Sequence, residues 1–151
     1  MAFWLAGLAN DASARRAAKW GGVACMVEAA RMTIANLVLA IMNGGDTFLA
    51  IVWFIGASVI PLFFALTGTR LWQGLGMIAG TIAALILPLD FALFGLPHLD
   101  LYHPLSANVS TVIGLVPRAI ICVVILNGVR GTLALHSRAS RSKESGSTAL
   151  P

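Results

Sequence analysis

The stretch GLVPRAIICVVIL, residues 114–126, decides the fold class of this chain, because it is apolar apart from one proline and one arginine, Pro117 and Arg118. The whole chain shares this character. Of its 151 residues, 58% are hydrophobic and 11% are charged, and its mean hydropathy is +0.88. Soluble domains carry about 25% charged residues. The composition therefore predicts an integral membrane protein.

Four runs of this kind are long enough to cross a hydrocarbon core of about 30 Å, which takes roughly 20 apolar residues in a helix. They lie at residues 20–42, 47–66, 75–97 and 109–129. Their residues do not alternate with the period of two that is typical of a membrane β-barrel, so each run is predicted to be a helix. The sequence therefore predicts an all-α bundle of four transmembrane helices within residues 20–135.

Both ends of the chain are predicted to lie outside the bilayer. In residues 1–19 an apolar stretch comes before Arg15, Arg16 and Lys19, which is the reverse of a signal peptide. These residues are predicted to form a short amphipathic segment at the membrane interface. Residues 136–151 are polar and rich in serine, and they are predicted to be a disordered cytoplasmic tail.

The basic residues outside the predicted helices all fall on one side of the membrane. The loops at residues 43–46 and 98–108 contain no Lys or Arg. By the positive-inside rule, both termini are predicted to be cytoplasmic, in a bacterial inner membrane or its equivalent. The basic residues that raise the pI to 9.8 are then expected at the membrane surface. Nucleic acid is therefore not an expected partner. The basic residues on the predicted cytoplasmic side are Arg15, Arg16, Lys19, Arg70, Arg130, Arg138, Arg141 and Lys143.

Four ionisable residues lie inside the predicted helices, namely Glu28, Arg31, Asp90 and Arg118. A charge within the bilayer costs at least about 2.5–3.5 kcal/mol, so such residues are expected to face the bundle interior and to pair. The helical rise places Arg118 between Glu28 and Asp90 in depth. We expect a charge network in which Arg118 pairs with Asp90, and Glu28 with Arg31. Asn36, about one turn beyond Arg31, is expected to make an interhelical hydrogen bond.

Prolines and small residues also fall inside the predicted helices. Pro61, Pro88 and Pro117 each remove one backbone hydrogen bond and free a carbonyl in the preceding turn. Such breaks act as kinks in many membrane helices, and in transporters they form ion or substrate sites. Small residues allow helix backbones to approach closely. The predicted packing positions are Gly76, Gly80, Ala84 and Gly114.

The stretch PHLDLYHP, residues 97–104, offers weak candidate metal ligands in His98, Asp100 and His103. A solvent-facing loop bounded by two prolines is the preferred interpretation. Cys25 and Cys122 are expected to be buried thiols that behave as small hydrophobic groups. No cofactor is predicted.

The sequence contains no G-x-S-x-G, Walker A, HExxH or dinucleotide-binding motif, so it favours no particular enzyme chemistry. It favours a structural or accessory membrane protein that associates with itself as a homo-oligomer or with a larger membrane complex. The alternative is a small proton- or ion-coupled transporter in which Glu28 or Asp90 titrates. An integral-membrane enzyme is left open.

Overall fold

A computed structural model describes residues 8, 10–42, 47–90, 92 and 105–147 of the chain. Within these ranges the secondary structure consists of helices and the turns between them, and no strand is formed. The all-α prediction is therefore confirmed for the described part of the chain. The helices are α1 (Asp11–Met42), α2 (Thr47–Ala57), α3 (Val59–Trp72), α4 (Met77–Asp90) and α5 (Leu105–Ser147).

Three described segments are long and apolar enough to cross a membrane, at Asp11–Met42, Ala50–Trp72 and Val116–Ser142. The second of these joins α2 to α3 through Ser58, whose backbone is itself in the helical region. The fourth apolar helix, α4, has only 14 residues. Large apolar side chains cover the outer surface, with Ile78 72% exposed and Ile41 71% exposed. Such a surface is suited to lipid, and the described helices are compatible with a helical membrane bundle.

Helix α1 begins at Asp11, earlier than the predicted start at residue 20. Asn10 caps it, because its side-chain Oδ1 accepts a hydrogen bond of 2.7 Å from the Ser13 N–H. The Ser13 hydroxyl lies 3.4 Å from the Asn10 N–H, which completes a reciprocal cap. From Asp11 onward, the predicted interfacial segment is therefore the first part of a long helix that continues into the bundle.

Helix α5 also differs from its prediction, because it continues through the predicted disordered tail to Ser147. Its 43 residues measure about 64 Å, roughly twice the thickness of the hydrocarbon core. Ala134 packs with Ala14 and Ala17 of α1. Arg138 forms an ion pair of 2.6 Å with Asp11. These contacts stabilise the end of α5, and we name residues 11–19 of α1 with residues 131–142 of α5 the terminal helix pair.

Glycines set the closest approaches between helices. A Cβ on Gly128 would lie 2.6 Å from the Gly21 Cα, so α1 and α5 cross with their backbones in contact. A Cβ on Gly22 would lie 2.7 Å from the Gly68 carbonyl oxygen, which gives α1 a second close contact, with α3. Helix α1 packs most extensively against α5 and α3, and it is thus the central helix of the bundle.

Two of the predicted packing positions lie at the interface between α4 and α5. Gly80 and Ala84 are buried, and a Cβ on Gly80 would lie 2.7 Å from Cγ2 of Val129. Gly114 lies within α5, but the structure does not describe what packs against it, and its packing role stays a prediction.

The packing prediction for Gly76 is corrected, because Gly76 belongs to the turn between α3 and α4. Its φ is +83°, a left-handed conformation that favours glycine. Helix α3 ends in a Schellman turn, in which the Leu75 N–H donates to the Arg70 carbonyl at 2.8 Å. The Gly74 N–H donates to the Leu71 carbonyl at 2.9 Å. The helix predicted at residues 75–97 therefore begins at Met77, as α4, and not at residue 75.

Candidate functional site

Glu28 and Arg31 form a two-point ion pair on one face of α1. Arg31 Nε donates to Glu28 Oε2 at 2.8 Å, and Arg31 Nη2 donates to Glu28 Oε1 at 2.5 Å. Two parallel hydrogen bonds of this kind fix the geometry of a guanidinium–carboxylate pair. The Glu28 side chain is 0% exposed, whereas that of Arg31 is 38% exposed. The pair therefore extends from the core of the bundle to its outer surface.

Asp90 and Arg118 form a second ion pair, which joins the end of α4 to α5. Arg118 Nη1 lies 3.3 Å from Asp90 Oδ2, and the two side chains are 27% (Asp90) and 25% (Arg118) exposed. The structure thus contains two ion pairs among the four ionisable residues that the sequence singles out, and these four residues are here called the charge network.

The network lies well inside the apolar length of the bundle. Trp20 and Trp72 mark one end of this length, since both are exposed as aromatic residues at membrane interfaces commonly are. Counted from Trp20 along α1, Glu28 lies about 12 Å and Arg31 about 16 Å further in. Charges at this depth are costly unless protein or water surrounds them.

Pro61 and Asn36 act together at the junction of α2 and α3. Pro61 has no N–H, so the Ala57 carbonyl one turn earlier has no backbone donor. Asn36 of α1 donates its side-chain Nδ2–H to this carbonyl at 2.9 Å. The expected interhelical hydrogen bond of Asn36 is present, and it holds the break in the second span against α1.

Pro88 creates a similar break in α4. It leaves the Ala84 carbonyl without a backbone donor, and the Cys122 thiol of α5 lies 3.3 Å from this oxygen as its donor. Sequence reasoning treated Cys122 only as a small hydrophobic group and missed this contact. Pro88 could have indicated it, because a proline at this position leaves the carbonyl four residues earlier in need of another donor. Pro117 lies inside α5, directly before Arg118.

Two cavities lie away from the charge network. One of about 640 Å³ opens between α3, α4 and α5, and one of about 560 Å³ lies at the terminal helix pair. Neither is lined by Glu28, Arg31, Asp90 or Arg118. The charge network therefore does not border either of these cavities.

The candidate metal ligands His98, Asp100 and His103 lie outside the described residues. In the part of the chain that the structure describes, no three His, Cys, Asp or Glu residues gather as a metal site would require.

No protein-family model matches this chain, and no curated protein or solved structure matches it at a significant level. The described helices are compatible with a helical membrane bundle, in which two arginines pair with two carboxylates at the level of the apolar helices.

Proposed function

We propose that this protein is a structural or accessory subunit of the bacterial inner membrane, which acts by association with itself or with a larger membrane complex. The observation that carries this proposal is the partial exposure of the charge network. Arg31, Asp90 and Arg118 keep between a quarter and two fifths of their side-chain surface uncovered. Facing lipid, each such charge would cost at least about 2.5–3.5 kcal/mol. A neighbouring subunit that packs over the network removes this cost.

The way the polar groups are satisfied supports a structural role over transport. A transporter needs a carboxylate that changes protonation, or carbonyls free to bind an ion. Here both carboxylates of the network are held by arginines. The carbonyls freed by Pro61 and Pro88 accept hydrogen bonds from neighbouring helices. Permanent pairing of this kind specifies how helices fit together.

The proposal includes four membrane crossings with both termini in the cytoplasm. Asp11 and Arg138 lie together at one end of the molecule, so the chain crosses an even number of times between them. The long apolar segments supply three crossings. The fourth is the apolar run predicted at residues 75–97, which contains α4. The basic residues at this end, including Arg15 and Arg70, favour the cytoplasmic side for it by the positive-inside rule.

The experiment that tests the proposal is native mass spectrometry of the protein released from its own membrane in polymer discs. We expect a particle of fixed stoichiometry that contains either several copies of this chain or other membrane proteins. Asp90→Ala, which leaves Arg118 without its partner, should reduce the yield of that particle. Leu85→Ala on the exposed face of the same helix is the matched control and should not. Recovery of the wild-type chain as a monomer would contradict the proposal.

A flux assay in proteoliposomes separates this proposal from the transporter alternative. The purified wild-type protein is expected to carry no proton or cation current above that of empty vesicles. A current that Glu28→Gln or Asp90→Asn abolishes, while the protein stays folded by circular dichroism, would assign the carboxylates to transport.

A further inference from the structure

Both of the cavities described above border the turn between α3 and α4. Gly74 and His136 line both of them. The first, here named the apolar groove, begins beside Phe63 and Ile82 and reaches the turn at Arg70. From Phe63 to Arg70 the groove follows α3 for about 10 Å. The two cavities are therefore adjacent, and together they form a recess that extends from the apolar level of the bundle to its basic end.

The apolar groove has the chemistry of an acyl-chain site. Its walls are mostly hydrocarbon side chains of three helices, with Thr67 among them, and Arg70 and His136 line the part near the turn. Because the groove opens on the outer surface of a membrane bundle, lipid can enter it laterally. The wall residues are Phe63, Leu66, Ile78, Ile82 and Leu133.

The second cavity, here named the basic cleft, has the chemistry of an anion site. Arg15, Lys19 and Arg138 line it together with one acid, Asp11. Asp11 is already engaged by Arg138, whose guanidinium also donates to the Leu8 carbonyl. Arg15 and Lys19 then provide a surplus of positive charge.

Two further features place this charge at the membrane interface. The Lys19 ammonium lies 5.5 Å from the centre of the Trp72 ring, a cation–π distance that holds it above an interfacial aromatic residue. Arg70 adds a third positive charge where the apolar groove reaches the turn. Positive charge thus lies directly beyond the polar end of a hydrocarbon groove.

We infer that this recess binds an anionic phospholipid, with an acyl chain in the apolar groove and the headgroup phosphate in the basic cleft. A phospholipid matches this arrangement, because its acyl chain lies in the hydrocarbon region and its phosphate lies at the membrane interface. A soluble phosphate would use the cleft but would gain nothing from the groove. The inference does not depend on the accessory role proposed above, since it concerns another region of the molecule.

The test is a native mass spectrometry titration of the full-length protein in detergent with phosphatidylglycerol and with phosphatidylcholine of the same acyl chains. Each interfacial cation is worth about a 5-fold change in affinity for an anionic lipid, so phosphatidylglycerol should bind about 10-fold tighter or more. The double variant Arg15→Gln/Lys19→Gln should weaken phosphatidylglycerol binding roughly 25-fold. Arg16→Gln, an exposed neighbour that does not line the cleft, is the matched control and should change it far less.

A second variant tests the groove. Ala79 lines it, and Ala79→Phe places a ring where the acyl chain is expected, so phosphatidylglycerol binding should fall. Ala30→Phe on the exposed surface of α1 is its control. Thermal unfolding in the same detergent verifies that each variant is folded.

Three results would overturn the inference. Equal affinity for the two lipids would show that the cleft does not recognise the headgroup. Unchanged binding to folded Ala79→Phe would show that no chain occupies the groove. Displacement of the lipid by inorganic phosphate at millimolar concentration would assign the cleft to a soluble anion.

Discussion

At the scale of single residues, the most informative contact is that of Asn36 with the carbonyl freed by Pro61. We predict that Asn36→Leu lowers the free energy of unfolding by about 0.6–2 kcal/mol, the usual value of an interhelical hydrogen bond in a membrane. In a Pro61→Ala background, residue 61 supplies its own N–H to Ala57, and the same substitution should cost much less. Denaturant titration of the four proteins in micelles measures this coupling.

Thr33 provides the control for this cycle. Its hydroxyl donates to the Ala29 carbonyl of its own helix at 2.8 Å and not to the carbonyl freed by Pro61. Thr33→Val should have the same effect in the wild-type background as in the Pro61→Ala background. If Asn36→Leu also has the same effect in both backgrounds, the proline and the amide do not act as a unit.

The sequence identified the polar residues of the helices, but it identified their contact partners less well. Glu28, Arg31, Asp90 and Arg118 were identifiable because a charge inside an apolar run is costly wherever the run lies. Helical rise then restricted which of them could meet. The thiol of Cys122 beside the Ala84 carbonyl depends on how α4 and α5 face each other, and periodicity within one helix does not determine that.

At the scale of elements, the crossing of α1 and α5 depends on two glycines in direct contact. We predict that Gly128→Ala lowers the free energy of unfolding by about 1–3 kcal/mol, because its Cβ would lie 2.6 Å from the Gly21 Cα. Gly56→Ala is the matched control, since no other atom lies within 4 Å of a Cβ at that position. It should stabilise helix α2 by up to about 1 kcal/mol.

Circular dichroism during denaturant titration measures both glycine variants under the same conditions. Equal effects at positions 128 and 56 would mean that helix propensity dominates and that the close approach of α1 and α5 contributes nothing. Helix propensity alone would make both substitutions favourable, so the opposite signs are the specific expectation.

Helix boundaries were the part of the fold that the sequence predicted least well, and the reason is physical. Apolar length indicates how much of a helix fits the bilayer, but not how far the helix continues beyond it. Asn10 and Ser13 cap α1 before the apolar run begins. The end of α5 is helical and packs along α1 through Ala134, a contact between residues more than 100 positions apart in the sequence.

At the scale of the whole molecule, the terminal helix pair leads to a prediction of topology. Residues 11–19 and 131–142 lie together, so we predict that Ala12 and Ser140 face the same compartment. We predict that this compartment is the cytoplasm and that the loop at residues 43–46 faces the other side. With Cys25 and Cys122 replaced by alanine, single cysteines are introduced as Ala12→Cys, Ser140→Cys and Asn43→Cys for labelling with a membrane-impermeant maleimide.

Intact spheroplasts should label the cysteine at position 43 and leave positions 12 and 140 unlabelled, whereas permeabilised membranes should label all three. The permeabilised sample is the control, because it shows that each thiol is reactive. Labelling of positions 12 and 140 from opposite sides would mean an odd number of crossings and would exclude α4 as the fourth. Labelling of both from outside would keep four crossings but invert the protein, and the basic residues would then be in the wrong compartment for the positive-inside rule.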